Sequence, residues 1–168
     1  MIVDVAIETA TPATASEPLA ENLNWLLSRA SYTLSTELTA ALEGLGISPR
    51  AFCVLTTASS GEHTQIELAQ KVGLDKTTLV VTLDDLEESG LARRKPSPQD
   101  RRARVIEVTA AGRRRVGEAK RIVDAIQADV LSSLPGRERK ALVDGLARLV
   151  GERLATPVEC SQSVRRRA

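Results

Sequence analysis

Aromatic side chains are almost missing from this sequence: one Trp, one Tyr and one Phe in 168 residues. A stacking platform for single-stranded nucleic acid needs several π-faces in one groove, so that mode of binding is nearly excluded. Imidazole and thiol are as scarce, with one His (His63) and two Cys (Cys53 and Cys160). That is too few soft ligands for an ordinary structural zinc site, and His63 has no metal or catalytic spacing with its acidic neighbours. Only a carboxylate-bound metal survives this count, and no cofactor is expected. The two cysteines stand far apart without paired spacing, which fits a reduced cytosol. Long hydrophobic runs are absent too: no stretch approaches the roughly 18 apolar residues a membrane helix needs. The opening MIVDVAIETATPATASEP lacks a basic n-region, and Asp4 and Glu8 break any apolar one, so no secretory signal is expected. No nucleophile–base pair stands out. The expectation is a cytoplasmic protein that is not an enzyme and does not contact a membrane.

What is present is a globular composition, 42% hydrophobic, of a length suited to one domain with appendages. Net charge is only +1, from 23 basic and 22 acidic residues, but the charges are segregated. Between Arg93 and Arg121 eleven Lys/Arg meet three acids, a local net of +8. Asp84, Asp85, Glu87 and Glu88 form an acidic cluster just before it. For a polyanionic partner such local charge outweighs the average.

Residues 1–18 are rich in Ala, Thr and Pro and read as a flexible arm; residues 155–168 read as a loose basic tail. Between them the apolar spacing is mostly helical. Leu19, Leu23, Leu26, Leu27, Ala30, Leu34, Leu38 and Leu42 recur every three or four positions, a long amphipathic helix ending at Gly44 and Gly46. Ser48 and Pro49 start a second helix that should bury Phe52, Val54 and Leu55, with Cys53 as a small buried hydrophobe beside them. Thr64 and Glu67 have capping-box spacing, with Ile66, Leu68 and Val72 behind them as far as Gly73. Asp75 caps a fourth helix with Leu79, Leu83 and Leu86 on one face, ending at Ser89 and Gly90. The runs LARRK and RARVIEV, joined by PSPQD, then read as a two-stranded hairpin in which Ile106 and Val108 alternate with Val105 and Glu107. Thr109 caps a second long helix striped by Val116, Ala119, Ile122, Val123, Ile126, Val130 and Leu134. Pro135 opens a last helix carrying Leu142, Val143, Leu146, Leu149 and Val150.

Two short helices on a tight Gly-containing turn, followed at once by a hairpin, make a winged helix-turn-helix. The second helix would enter a DNA major groove with its leucines turned inward and Thr77, Val81, Asp84 and Glu88 turned outward. Lys76, Thr77 and Thr78 at its start can reach phosphates or base edges, and Val81 can touch a thymine methyl. The wing supplies charge through Arg93, Arg94, Lys95, Arg101, Arg102 and Arg104. An arginine at a hairpin tip suits the narrow minor groove, and Asp100 can hold Arg102 in direction. Six basic residues against one acid exceed what a merely solvated hairpin requires. For Thr77 and Thr78 the competing reading is local hydrogen bonding at the helix start.

LDKTTLVVTLDDLEESGLARRKPSPQDRRARVIEVTAAGRR resembles the MarR family of bacterial transcription regulators. The Leu-Asp-Lys-Thr-Thr helix start, the Leu-Glu-x-x-Gly-Leu-x-x-Arg exit, the Asp-Arg-Arg wing tip and the Val-Thr-x-x-Gly helix start carry the likeness, which extends more weakly over residues 19–154. The resemblance implies a mainly α fold with a small β-hairpin wing and a homodimer on pseudo-palindromic duplex DNA. A small, often phenolic, effector is implied as well. It places Lys76, Thr77 and Thr78 at recognition-helix contacts, Arg102 at the wing-tip arginine and Asp100 at its supporting acid. Val81 departs from the polar or basic residue that relatives often carry there, which leaves base preference open. Peroxide-sensing relatives keep a reactive Cys near the start of the first long helix, and this chain has none there.

The resulting division is an arm at 1–18, dimerisation helices at 19–47 and 109–154, a DNA-binding lobe at 48–108 and a tail at 155–168. The dimerisation helices carry more Leu, Val and Ile than the small lobe can cover, which independently suits a two-fold pairing. Trp25, Arg29 and Tyr32 recur at about one-turn spacing and could line an effector pocket, an aromatic wall with a cation; core or dimer packing is the competing reading. The functional expectation is a DNA-binding regulator, with repression as the expected sign. The alternative is a winged-helix module that binds protein without specific DNA contact.

Overall fold

The computed structural model describes residues 19–97 and 104–156, which fall into two compact units divided between Ala119 and Lys120. The expected arm, the tail with Cys160, and the wing tip with Asp100, Arg101 and Arg102 lie outside the described residues.

The elements are α1 (Leu23–Leu42), a 3-10 turn (Glu43–Leu45), α2 (Pro49–Ala58), α3 (Gln65–Val72), α4 (Lys76–Glu88), β1 (Ala92–Pro96), β2 (Arg104–Val108), α5 (Ala110–Ser132) and α6 (Gly136–Gly151). The chain is mainly helical with one antiparallel hairpin, the winged-helix architecture expected.

Helix starts follow local chemistry. Ser48 Oγ accepts from the Ala51 N–H (3.1 Å), and Thr64 and Glu67 form the full capping box. Asp75 Oδ1 accepts from the Thr78 N–H (2.9 Å), and Thr109 Oγ1 from that of Gly112 (3.0 Å). Each cap satisfies a donor that the helix itself leaves open. The first helix starts later than its leucine spacing indicates, because Asn22 Oδ1 accepts from the Trp25 N–H (2.9 Å) and leaves Leu19 in a preceding turn. The two helices of the helix-turn-helix end alike. Gly73 (φ 73°) and Gly90 (φ 68°) turn left-handed, and the next residue donates back to the helix, Leu74 to Ala69 O and Leu91 to Leu86 O. A side chain at either glycine would be strained there.

The core of the first unit is aliphatic. Leu42, Val54, Leu55, Leu68, Leu79, Leu83 and Leu86 are wholly buried, and the hairpin adds Ile106 and Val108. Removing such a side chain from water contributes about 1.5–3 kcal/mol. Two assignments need correction. Helix α2 buries Ala51, Val54, Leu55 and Ala58, a stripe at i, i+3, i+4 and i+7 that leaves Cys53 off the face and exposed, with Phe52 half-buried. In α3 the buried pair is Leu68 and Ala69, and Ile66 projects outward, 70% exposed. The hairpin also differs from simple alternation. Val105 is buried as well as Ile106, because the backbone before α3 joins the sheet: Thr64 bridges to Val105 and the Ile106 N–H donates to His63 O (3.2 Å).

In the second unit Arg139, in the first turn of α6, donates to Leu134 O (2.6 Å) and Ser132 O (3.1 Å), satisfying carbonyls at the end of α5. Helix α6 buries no residue, and Leu142, Val143 and Val150 are exposed. Among the described residues no single helix is long and apolar enough to cross a membrane.

Candidate nucleic-acid interface

Helix α4 is held from behind. Leu79, Leu83 and Leu86 enter the core, and the helix packs against α2, α3 and β1. Its other face is presented to solvent: Lys76, Thr77, Val81, Asp84 and Glu88 are all exposed. Thr78 is half-buried, and its Oγ1 donates to Asp75 Oδ2 (2.5 Å). The hydroxyl thus serves the cap and keeps only acceptor lone pairs for an outside donor. Those two hydrogen bonds from Thr78, side chain first, hold the Asp75 carboxyl below its ordinary value, so the cap is ionised at neutral pH. The remaining free N–H groups of this helix start and its dipole favour an anion there.

The hairpin register sets Arg93 opposite Glu107, Arg94 opposite Ile106, Lys95 opposite Val105 and Pro96 opposite Arg104. On the outer face Glu107 accepts from Arg93 and pairs with Lys95 Nζ (2.7 Å). The hydrogen bond from Arg93, then that from Lys95, lowers the Glu107 carboxyl to about 2. Arg94 turns away from this face, toward Asp84 and Glu87 of α4. Arg104 is exposed at the start of β2. Arg113 returns to the hairpin, Nη1 donating to Val108 O (2.6 Å), while Arg114 is exposed.

The three residues considered for an effector are less convergent. Tyr32, 69% exposed, lines an open cavity of about 740 Å³ with Ser35, Thr36, Thr39, Glu43 and Ile47. Trp25 is half-buried and Arg29 exposed, and neither belongs to that lining. A second cavity of about 600 Å³ is lined by Ser31, Ser35, Arg50, Cys53, Val72 and Leu74. Cys53 is exposed as a residue, but desolvation of its thiol beside this cavity raises it above its ordinary value, which works against thiolate formation.

The sequence profile of the MarR family matches residues 47–103, from the approach to α2 through β1 to the residue before β2. Among solved structures, CouR from Rhodococcus jostii RHA1 bound to p-coumaroyl-CoA shares 30% identity, with a TM-score of 0.72 over 87% of this chain and 100% of its own. The chain belongs to the MarR family. A MarR-family regulator from Rhodococcus sp. RHA1 also matches at 30% identity, with a TM-score of 0.74 over 86% of this chain and 100% of its own. The repressor CouR on a 23-mer DNA duplex shares 32% identity, with a TM-score of 0.71 over 79% of this chain and 94% of its own. As a MarR-family protein the chain is a winged-helix, DNA-binding transcription regulator.

Sequence reasoning missed three features: the Asn22 cap, the Thr64–Val105 bridge and the acidic partners of the wing cations. The last had a signal. The cluster at 84–88 stands immediately before the basic run, and Glu107 lies within it.

Proposed function

We propose that this MarR-family protein is a cytoplasmic repressor that grips pseudo-palindromic duplex DNA as a homodimer. Helices within 19–47 and 109–154 pair the copies, and each 48–108 lobe takes one half-site. The observation that carries the reading is the outward start of α4, where Lys76, Thr77 and Val81 stand exposed on a rigidly backed helix beside the hairpin. Lys76 and Thr77 contact phosphate or base edges, and Val81 a thymine methyl. Thr78 lends its lone pairs and orders the helix start. Two such helices enter major grooves about one turn apart. Arg102, oriented by Asp100, enters the flanking minor groove, with Arg101 and Arg104 on nearby phosphates and Arg93 and Lys95 contributing a charge partly offset by Glu107.

The pairing is supported by exposed apolar residues on α1, α5 and α6, including Leu23, Val130, Leu142 and Val150, which a second copy would cover. The duplex reading is supported by CouR on its 23-mer. Release by a small aromatic or phenolic effector is supported by CouR with p-coumaroyl-CoA and by the open cavity at Tyr32, with Trp25 and Arg29 on the same helix. Release requires the effector to prefer the state that does not fit DNA.

The test is selection of bound fragments from the source genome, followed by footprinting and stoichiometry. Two protected half-sites about one turn apart, with two chains per duplex, are expected. A folded protein that enriches no fragment refutes the reading and favours a protein-interaction module.

A further inference from the structure

The basic residues of the wing are not equivalent. Arg93 and Lys95 lie on its outer face, whereas Arg94 is laid along the flank of α4. The Arg94 backbone N–H donates to Glu87 Oε1 (2.5 Å), and its Nη1 donates to Glu87 Oε2. Its Nη2 pairs with Asp84 Oδ1 (2.7 Å) and reaches Val80 O (3.4 Å). Val80, Asp84 and Glu87 follow at i, i+4 and i+7, one stripe along two turns of α4. Only a fifth of the Arg94 side chain is exposed.

We infer that Arg94 is a positioning residue, a clasp that fixes the tilt of the wing against the recognition helix, and does not touch DNA. The inference rests on the DNA-binding reading above and specifies how that interface is held. A planar guanidinium can satisfy two carboxylates and a carbonyl at once, a geometry a lysine cannot reproduce. Without it, two carboxylates beside the docking face would repel phosphate, and the wing would lose its side-chain tie to α4, keeping only the turn at 89–91 and the backbone ties of β2 to His63 and Thr64. Holding that angle before binding lowers the ordering cost paid on docking.

The test measures binding to a selected duplex across salt concentration for wild type, Arg94→Ala and Arg94→Lys, with hydrogen exchange of the Arg94 amide followed without DNA. Arg94→Ala should weaken binding on the order of tenfold. The slope of log affinity on log salt should match wild type, because no phosphate contact is lost. Arg94→Lys should also bind weakly at unchanged slope, which keeps the test valid should the alanine variant misfold. Neutralising the acids (Asp84→Asn with Glu87→Gln) should weaken binding when Arg94 is present and cease to do so once it is gone. It should also speed exchange of the Arg94 amide.

A slope shallower by about 0.9 in Arg94→Ala would mark a phosphate contact and overturn the inference. Near-wild-type affinity in Arg94→Lys, or tightening by the acid variants equally in both backgrounds, would overturn it as well. Wild-type protein that binds no duplex would instead sink the DNA reading, a result separable from failure of the clasp because the amide exchange is read without DNA.

Discussion

Replacing Gly112 by alanine should destabilise the protein, against the usual benefit of alanine in a helix. Gly112 stands in the first turn of α5, where Thr109 joins the helix to the end of the helix-turn-helix. The Thr109 hydroxyl donates to Gly90 O (2.8 Å) and its backbone N–H to Leu91 O (3.0 Å). A Cβ at Gly112 would lie 2.1 Å from Leu91 O and 2.7 Å from Val108 Cγ1. A carbon normally approaches a carbonyl oxygen to about 3.3 Å, so the backbone must shift by about an ångström. Overpacking of that kind costs about 1–3 kcal/mol, against about 1 kcal/mol gained in helix propensity. The net loss, about 1–2 kcal/mol at the upper end of that range, lowers Tm by roughly 2–8 °C in a protein of this size. The assay is urea and thermal unfolding followed by circular dichroism, with Gly117→Ala as the control. Gly117 is in the same helix with nothing within 4 Å of its Cβ position, so alanine there should stabilise by about 0.5–1 kcal/mol. A Gly112→Ala protein as stable as wild type, beside a control that behaves as stated, would refute the reasoning.

Three further outcomes follow from the interface. Glu107→Gln releases Arg93 and Lys95 from their shared acid, so nonspecific duplex binding should tighten and its salt dependence steepen; an unchanged slope would show that these cations do not reach phosphate. Glu107 falls from its ordinary 4.5 to about 2 in the folded chain, so its stabilising effect is complete above 4.5 and is lost as pH falls toward 2. Glu67 and Asp75 shift in the same direction through their caps. Acid titration of stability should therefore be shallower in Glu107→Gln between those values than in wild type, and an identical profile would contradict the assigned cause. Arg102→Ala should weaken specific binding by about 10- to 100-fold and Asp100→Ala by less; wild-type affinity in folded Arg102→Ala protein would remove the wing-tip assignment.

Much of the fold was legible because its signals are local. Ser48, Thr64, Asp75 and Thr109 each announce a helix start within four residues, and Gly73 and Gly90 each announce an end. The strand itself, and the burial of Ile106 and Val108, were legible for the same reason. What depended on contacts distant in sequence was not. Val105 is buried where Thr64 bridges to its strand, and nothing near position 105 records that. Phe52 and Cys53 were misplaced because an apolar neighbourhood was read in place of a helical phase. The phase set by Ala51, Val54, Leu55 and Ala58 excludes Cys53 without ambiguity. At the interface the excess of basic residues was visible, but its division was not. Arg93, Arg94 and Lys95 are consecutive in sequence, yet strand alternation sends Arg94 to α4 and the other two to Glu107.

The most direct measurement is the salt dependence of wild-type binding to a duplex recovered from the source genome. The account predicts affinity that falls steeply as salt rises, by about 0.9 logarithmic units per tenfold salt for every phosphate engaged, and a specific site bound far more tightly than a scrambled duplex of equal length. Affinity that stays flat with salt, or is equal for the two duplexes, would contradict it.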